Sequence, residues 1–193
     1  PSSAEKPTPF THPGVLHSPS ELNFVRGKIA SGDEPWTSAW QALISHRWAS
    51  LDHESRAHPN VVRGRRGKNS TGMRELMDDS VAAYTHALHW SLSGSQAHAK
   101  KTIEILNDYA QTLKSVEGHD ARLLVGITGI HLVNAAELIA HSDTQWSAAD
   151  RERFAKMLRE VLYPVIENFY PRANGNWDAS MIQTMMGIGT VSY

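Results

Sequence analysis

The segment DARLLVGITGIHLVNAAELIA, residues 120–140, decides what kind of fold this chain builds. Leu123, Leu124, Ile127, Ile130, Val133, Leu138 and Ile139 recur at helical spacing, and Asp120 stands where a helix cap belongs. The helix is very apolar, yet His131, Asn134 and Glu137 fall three residues apart on one stripe of it. Polar groups in such a setting need partners. Either they line a cavity or they form a buried hydrogen-bond network.

Working outward, the same period recurs on both sides. Upstream, Ile103, Leu106, Ala110 and Leu113 mark a helix over about 96–115, broken by Gly118. Leu76, Val81, Tyr84, Leu88 and Leu92 mark another over about 75–93, closed by Ser93-Gly94-Ser95 with glycine in the left-handed position. Earlier still, Ser18-Pro19-Ser20-Glu21 is a capping-box start ahead of Leu22, Val25 and Ile29. Asp33-Glu34-Pro35 announces a helix carrying Trp36, Trp40, Leu43, Ile44 and Trp48. Downstream, Ser147 opens a helix with Phe154, Leu158, Val161 and Leu162, which Pro164 should kink or end. A last helix runs from about Trp177 through Met181, Ile182, Met185 and Ile188. Residues 1–17 read as an extended arm, and residues 18–193 as one helical domain. No segment shows convincing period-2 alternation. The expectation is an all-α fold of about seven helices in antiparallel hairpins.

Nineteen Lys and Arg stand against 20 Asp and Glu, a formal charge of −1, so no global field favours nucleic acid or anionic lipid as partner. No apolar run of about 18 residues is apparent, which argues against a membrane span. Cysteine is absent, removing disulfides, thiol nucleophiles and thiolate metal sites together. The sequence has no G-x-S-x-G, P-loop, GxGxxG or H-E-x-x-H pattern.

Two stretches suit an anionic ligand. Arg63, Arg65, Arg66 and Lys68, spaced by Gly64 and Gly67, can grip carboxylates or phosphates, or form a solvated charge run. Asn174-Gly175-Asn176-Trp177-Asp178 sets an amide at a helix mouth, where it can donate to a carboxylate, with Trp177 as a flat face for a sugar. The same residues also fit a turn, a helix-start acid and a core anchor. His86 and His89 lie three apart on a helix, but no third metal ligand is marked; no metal and no cofactor are expected. Asp78 and Asp79 are adjacent and point about 100° apart on a helix, which fits helix support better than paired acid–base work.

Six collinear stretches together carry a resemblance: HPGVLHSPSELNFVRGKIASGDEPWTSAW, VVRGRRGKN, DDSVAAYTHALHWSLSGS, AKKTIEILNDYAQTL, HLVNAAELI and NWDASMIQTMMGIG. In this order they resemble the alginate lyase superfamily, whose members degrade polyuronates. The resemblance implies an incomplete (α/α) toroid with the saccharide in a groove across its open end. It implies β-elimination, in which the C-5 carboxylate is neutralised, a base takes the C-5 proton, and the departing C-4 oxygen is protonated. Carried over, Asn176 is the carboxylate neutraliser and Trp177 the wall beside a sugar. Arg63 matches a family arginine, while Arg65, Arg66 and Lys68 are implicated by charge alone.

Members with an NNH motif place a catalytic His beside the Asn; this chain reads NGNW. In closer relatives the His lies after the NW helix, in a stretch like RDQGH, beyond Tyr193. The chain is therefore expected to be the N-terminal part of a longer protein, completed by a C-terminal segment and of little activity alone. The expected function is a secreted or periplasmic lyase acting on an acidic polymer of alginate or glucuronan type. Asn174, Asn176, Trp177, Arg63, Arg66, Lys68 and His131 are its candidate site residues. A glycoside hydrolase built on Asp79 and Asp178, and a non-catalytic polyuronate-binding relative, are the alternatives.

Overall fold

The structure is a computed structural model, described for residues 10–168 and 175–191. It is all-α. Seven helices follow one another: α1 (Pro19–Ala30), α2 (Trp36–Ser45), α3 (Met73–Ser93), α4 (Gln96–Thr112), α5 (Ala121–Ala140), α6 (Ala148–Met157) and α7 (Asn176–Val191). Ser18 caps α1 with both bonds of the capping box, and Gly94 ends α3 at φ 75°. Ser147 caps α6 through the Asp150 N–H. At its far end α6 widens into a π-type turn over Leu158–Leu162, then closes with Tyr163–Ile166. Pro164 sits just beyond that turn and has no N–H to give, which is why the ladder loosens there without a sharp break.

Three expectations are corrected. Trp48 is not on α2 but in a separate single turn, Arg47–Ala49, after α2 ends at Ser45. Two three-residue strands, β1 (Asn60–Val62) and β2 (Ser115–Glu117), pair in parallel; they are too short to show alternation. Last, α5 is long and apolar enough by composition to cross a membrane, with mean hydropathy 1.7. It is nonetheless a core helix, 78% buried over that window, flanked by α3 and α7.

Direction of travel matters for the site. Asp79 meets Tyr109 and His86 meets His98, so α4 runs antiparallel to α3. Gly126 faces Ser180, Gly129 faces Thr184 and Val133 faces Gly187, so α5 and α7 climb together. The glycines permit this closeness: a Cβ on Gly126 would lie 2.4 Å from Ser180 Oγ. Thr184 Oγ1 donates to the Gly126 carbonyl at 2.7 Å and locks the register. Because β1 pairs with β2 and also bridges Thr71, the chain entering α3 is tied to the chain entering α5. The starts of α3, α5 and α7 thus share one pole of the molecule.

Candidate active site

The basic loop at that pole is a built turn. Arg66, Gly67 and Asn69 adopt positive φ (54°, 77° and 53°), and Ser70 Oγ accepts from the Gly64 N–H at 3.2 Å while donating to the Gly67 carbonyl at 2.9 Å. Arg66 N–H donates to Asp120 Oδ2 at 2.7 Å. Gly64, Arg65, Arg66, Lys68 and Asn69 line a shallow depression of about 490 Å³. The side chains of Arg65, Arg66 and Lys68 are exposed, whereas Arg63 is half-buried. Arg63 Nε and Nη1 are buried and have no hydrogen-bond partner among the described residues. Buried guanidinium N–H groups are costly to leave unmet, and a carboxylate is the natural acceptor for them.

Asp120 departs from its expected role. It precedes α5, but its side chain makes no cap bond. Its carboxylate instead takes His119 Nδ1 at 2.6 Å and the Arg66 N–H, and its own N–H donates to the Arg63 carbonyl at 3.0 Å. Burial pushes the Asp120 carboxyl up, but the bonds from His119 and Arg66 and the nearby Arg63 charge bring it below the usual carboxylate range.

Asn176 is exposed at the first position of α7, and Trp177 is half-buried. Asp178 is buried, with Oδ1 unpartnered among the described residues. Asn174 lies outside the described residues. Stepping the α5–α7 register back one turn from Gly126 and Ser180 sets Asn176 and Trp177 level with Arg122, two residues past Asp120. Arg63, Arg66, Lys68 and Asn176 therefore belong to one pole. His131 does not: it lies nine residues past Arg122, about 13 Å along α5.

The polar stripe of α5 is a network that binds the N-terminal arm. Glu137 accepts from the Gly14 N–H at 3.1 Å and contacts His12 Nδ1 at 3.1 Å. Asn134 Oδ1 accepts from the Leu16 N–H at 3.1 Å, and its amide donates to the Ile130 carbonyl at 2.8 Å. His131 stacks on Tyr84, whose hydroxyl meets His17 Nε2. Burial pushes Tyr84 up to about 12 and lowers His17 and His131. His12, Glu137 and His141 bring ligand atoms within 4.8 Å of one another, the one such metal-capable group among the described residues. The two imidazoles stack at 3.7 Å and 16°, so their lone pairs run in parallel planes, which suits a shared carboxylate anchor better than one metal ion.

The remaining candidates are structural. His86 and His98 share a hydrogen bond at 2.7 Å, and burial lowers them to about 3 and about 4. Asp78 pairs with Arg47 at the surface. Asp79 is fully buried and takes His53 Nε2 at 2.8 Å, the Arg56 N–H at 2.8 Å and the Tyr109 hydroxyl at 2.9 Å. Sequence reasoning passed over His119. It singled out Asp120 only as a cap, because Arg66, whose N–H claims one carboxylate oxygen, lies 54 positions away.

An all-α scaffold with a cationic, amide-bearing pole defines a protein suited to a polyanion. The family model for alginate lyase matches residues 31–192, and the chain belongs to that family, which places it among polysaccharide lyases. No curated protein and no solved structure matches it.

Proposed function

We propose that this protein cleaves an acidic uronate polymer, of alginate or glucuronan type, by β-elimination. The observation that carries the reading is Arg63: two buried guanidinium nitrogens without a partner among the described residues, beside three exposed cations, at the pole where Asn176 opens a helix. The C-5 proton of a uronate is weakly acidic, and its removal builds charge on the adjacent carboxylate. Donors already aimed at that carboxylate stabilise the charge without reorganising. An amide suits the task because it donates without holding a proton that can leave. In this reading Asn176 neutralises the C-5 carboxylate, Trp177 shapes the wall beside the sugar, Asn174 is a substrate-binding candidate, and Arg63, Arg66 and Lys68 hold neighbouring carboxylates. His131 stands apart and supports the arm and Tyr84.

A hydrolase would need two free carboxylates. Asp79 is committed three times over inside the α3–α4 interface, which argues against that pairing. A polymeric substrate argues for a secreted or periplasmic enzyme, and we propose that a C-terminal segment of the same protein completes the groove. The test is ultraviolet absorbance during incubation with alginate and with glucuronan, since elimination leaves a conjugated C4–C5 double bond and hydrolysis does not. Growth of absorbance on one of them supports the reading. Tight binding of polymer with no absorbance would make the protein a binding relative.

A further inference from the structure

We propose that His119 is the group that takes the C-5 proton, held in place for it by Asp120; this rests on the lyase reading above. The dyad sits at the pole described for Asn176 and Arg63, on the turn that joins β2 to α5. Gly118 makes that turn possible: its φ is +104°, and a Cβ there would lie 2.4 Å from the Arg63 carbonyl oxygen. The turn is thereby pressed against the end of β1 and cannot be displaced without losing the Asp120 N–H bond to the same carbonyl.

Within the dyad the two partners live in different surroundings. The Asp120 side chain is 8% exposed and that of His119 is 51% exposed. Asp120 is fixed through its backbone N–H, through Oδ2 on the Arg66 N–H and through Oδ1 on His119 Nδ1. A carboxylate held on Nδ1 sets the tautomer, leaving Nε2 as the basic nitrogen, and stabilises the imidazolium once formed. Arg63 is the cation whose charge bears on Asp120, while Arg66 reaches the carboxylate through its backbone N–H. The other carboxylate-bound histidines differ. His53 Nε2 is already spent on Asp79, and His12 and His141 stack on each other while sharing Glu137 near the opposite end of α5.

The step balances without any further reactant. His119 Nε2 takes the C-5 proton, and the C-5–H electron pair becomes the second bond between C-4 and C-5. The C-4–O bond breaks, its pair leaving with the oxygen. That oxygen is protonated by the imidazolium or by water, and neutral imidazole is restored. Asp120 is a positioning residue throughout and stays ionised.

The experiment is steady-state absorbance kinetics, across pH, on the polyuronate that the intact wild-type protein cleaves, comparing His119→Gln and Asp120→Asn. His119→Gln is expected to lower kcat at least 100-fold with KM changed less than threefold, to abolish the acid limb of the pH profile, and to leave the melting temperature unchanged. Asp120→Asn is expected to lower kcat less and to shift that limb. A His119→Gln enzyme retaining more than a tenth of wild-type kcat with the same profile overturns the assignment while the lyase reading stands. A wild-type protein that forms no absorbing product from any polyuronate overturns the lyase reading, and the assignment with it.

Discussion

The two ends of α5 carry the same chemical arrangement put to different use. Asp120 and Glu137, about 25 Å apart along the helix, are both buried, both meet a histidine Nδ1 and both accept a backbone N–H. At Glu137 the partners come from 123 and 125 residues away, and His12 is packed between Phe10 and His141. At Asp120 the histidine is the preceding residue and stands half in solvent, beside an arginine with unmet N–H groups. A His–carboxylate pair is therefore uninformative by itself. What separates the two ends is access: the histidine at Asp120 is 51% exposed beside exposed cations, whereas the one at Glu137 is 24% exposed and packed between two rings.

The largest effect that would break this contrast is loss of Asn176. As an exposed residue at the start of α7 it does little for folding, so Asn176→Ala should leave the thermal melt within a degree or two. Turnover should fall 100-fold or more, as when one preorganised donor is removed from a developing oxyanion. Near-normal kcat in the absorbance assay would withdraw Asn176 from the pole's chemistry.

At the other end the expected loss is in stability. Glu137→Ala leaves the Gly14 N–H and His12 without their acceptor and frees the arm. Since His12 is a quarter exposed, the cost should be at the low end for a broken buried pair, about 2–3 kcal/mol, read by denaturant unfolding. An unchanged midpoint would show that the arm is held by packing alone. His86 and His98 sharpen the same side of the comparison. Burial holds them neutral when folded, at about 3 and about 4, while in the unfolded chain each titrates near 6.5. Between those values the unfolded state binds more protons, so stability should fall as pH drops from about 6.5 toward 3 and level off below that. The expected loss is on the order of several kcal/mol, and His86→Met should remove much of it. A wild-type curve flat over that range would show that these two residues protonate in place.

How far the sequence could be read differs between the two ends for a physical reason. Helices were legible because 3.6-residue periodicity and local caps are short-range properties: Ser18, Gly94 and Ser147 behave as their neighbours dictate. Trp48 misled because it extends the spacing of Trp36 and Trp40, yet the hydrogen-bond ladder stops at Ser45. β1 and β2 were invisible because three residues carry one alternation and the pairing partner lies 55 positions away. The stripe His131–Asn134–Glu137 could be recognised as needing partners, but the partners belong to an arm more than a hundred residues upstream. Asn176 and Arg63 stand out by residue chemistry, at a helix mouth and in a glycine-spaced basic run, and the family resemblance gives them their roles. Asp120 looked like a cap because nothing local announces that Arg66 will claim it.

The smallest effect is the most specific to the pole. The Arg66 side chain is exposed, while its backbone N–H makes the bond to Asp120. Arg66→Ala keeps that bond and so should leave both the fold and kcat intact. It removes one cation from the depression lined by Arg65, Lys68 and Asn69, and should raise KM for polymer about two- to fivefold at low salt. Exposed charges act through a screened field, so the difference between wild type and variant should shrink toward nothing at about 1 M salt, where the Debye length is near 3 Å. A short uronate spanning only the bond being cut should feel the change less than the polymer, because it carries fewer carboxylates for the loop to attract. An effect on kcat, or one that persists at high salt, would mean that Arg66 touches the reacting sugar directly. The charge run would then belong with Arg63 and Asn176 as part of the chemistry, not as a guide for the chain.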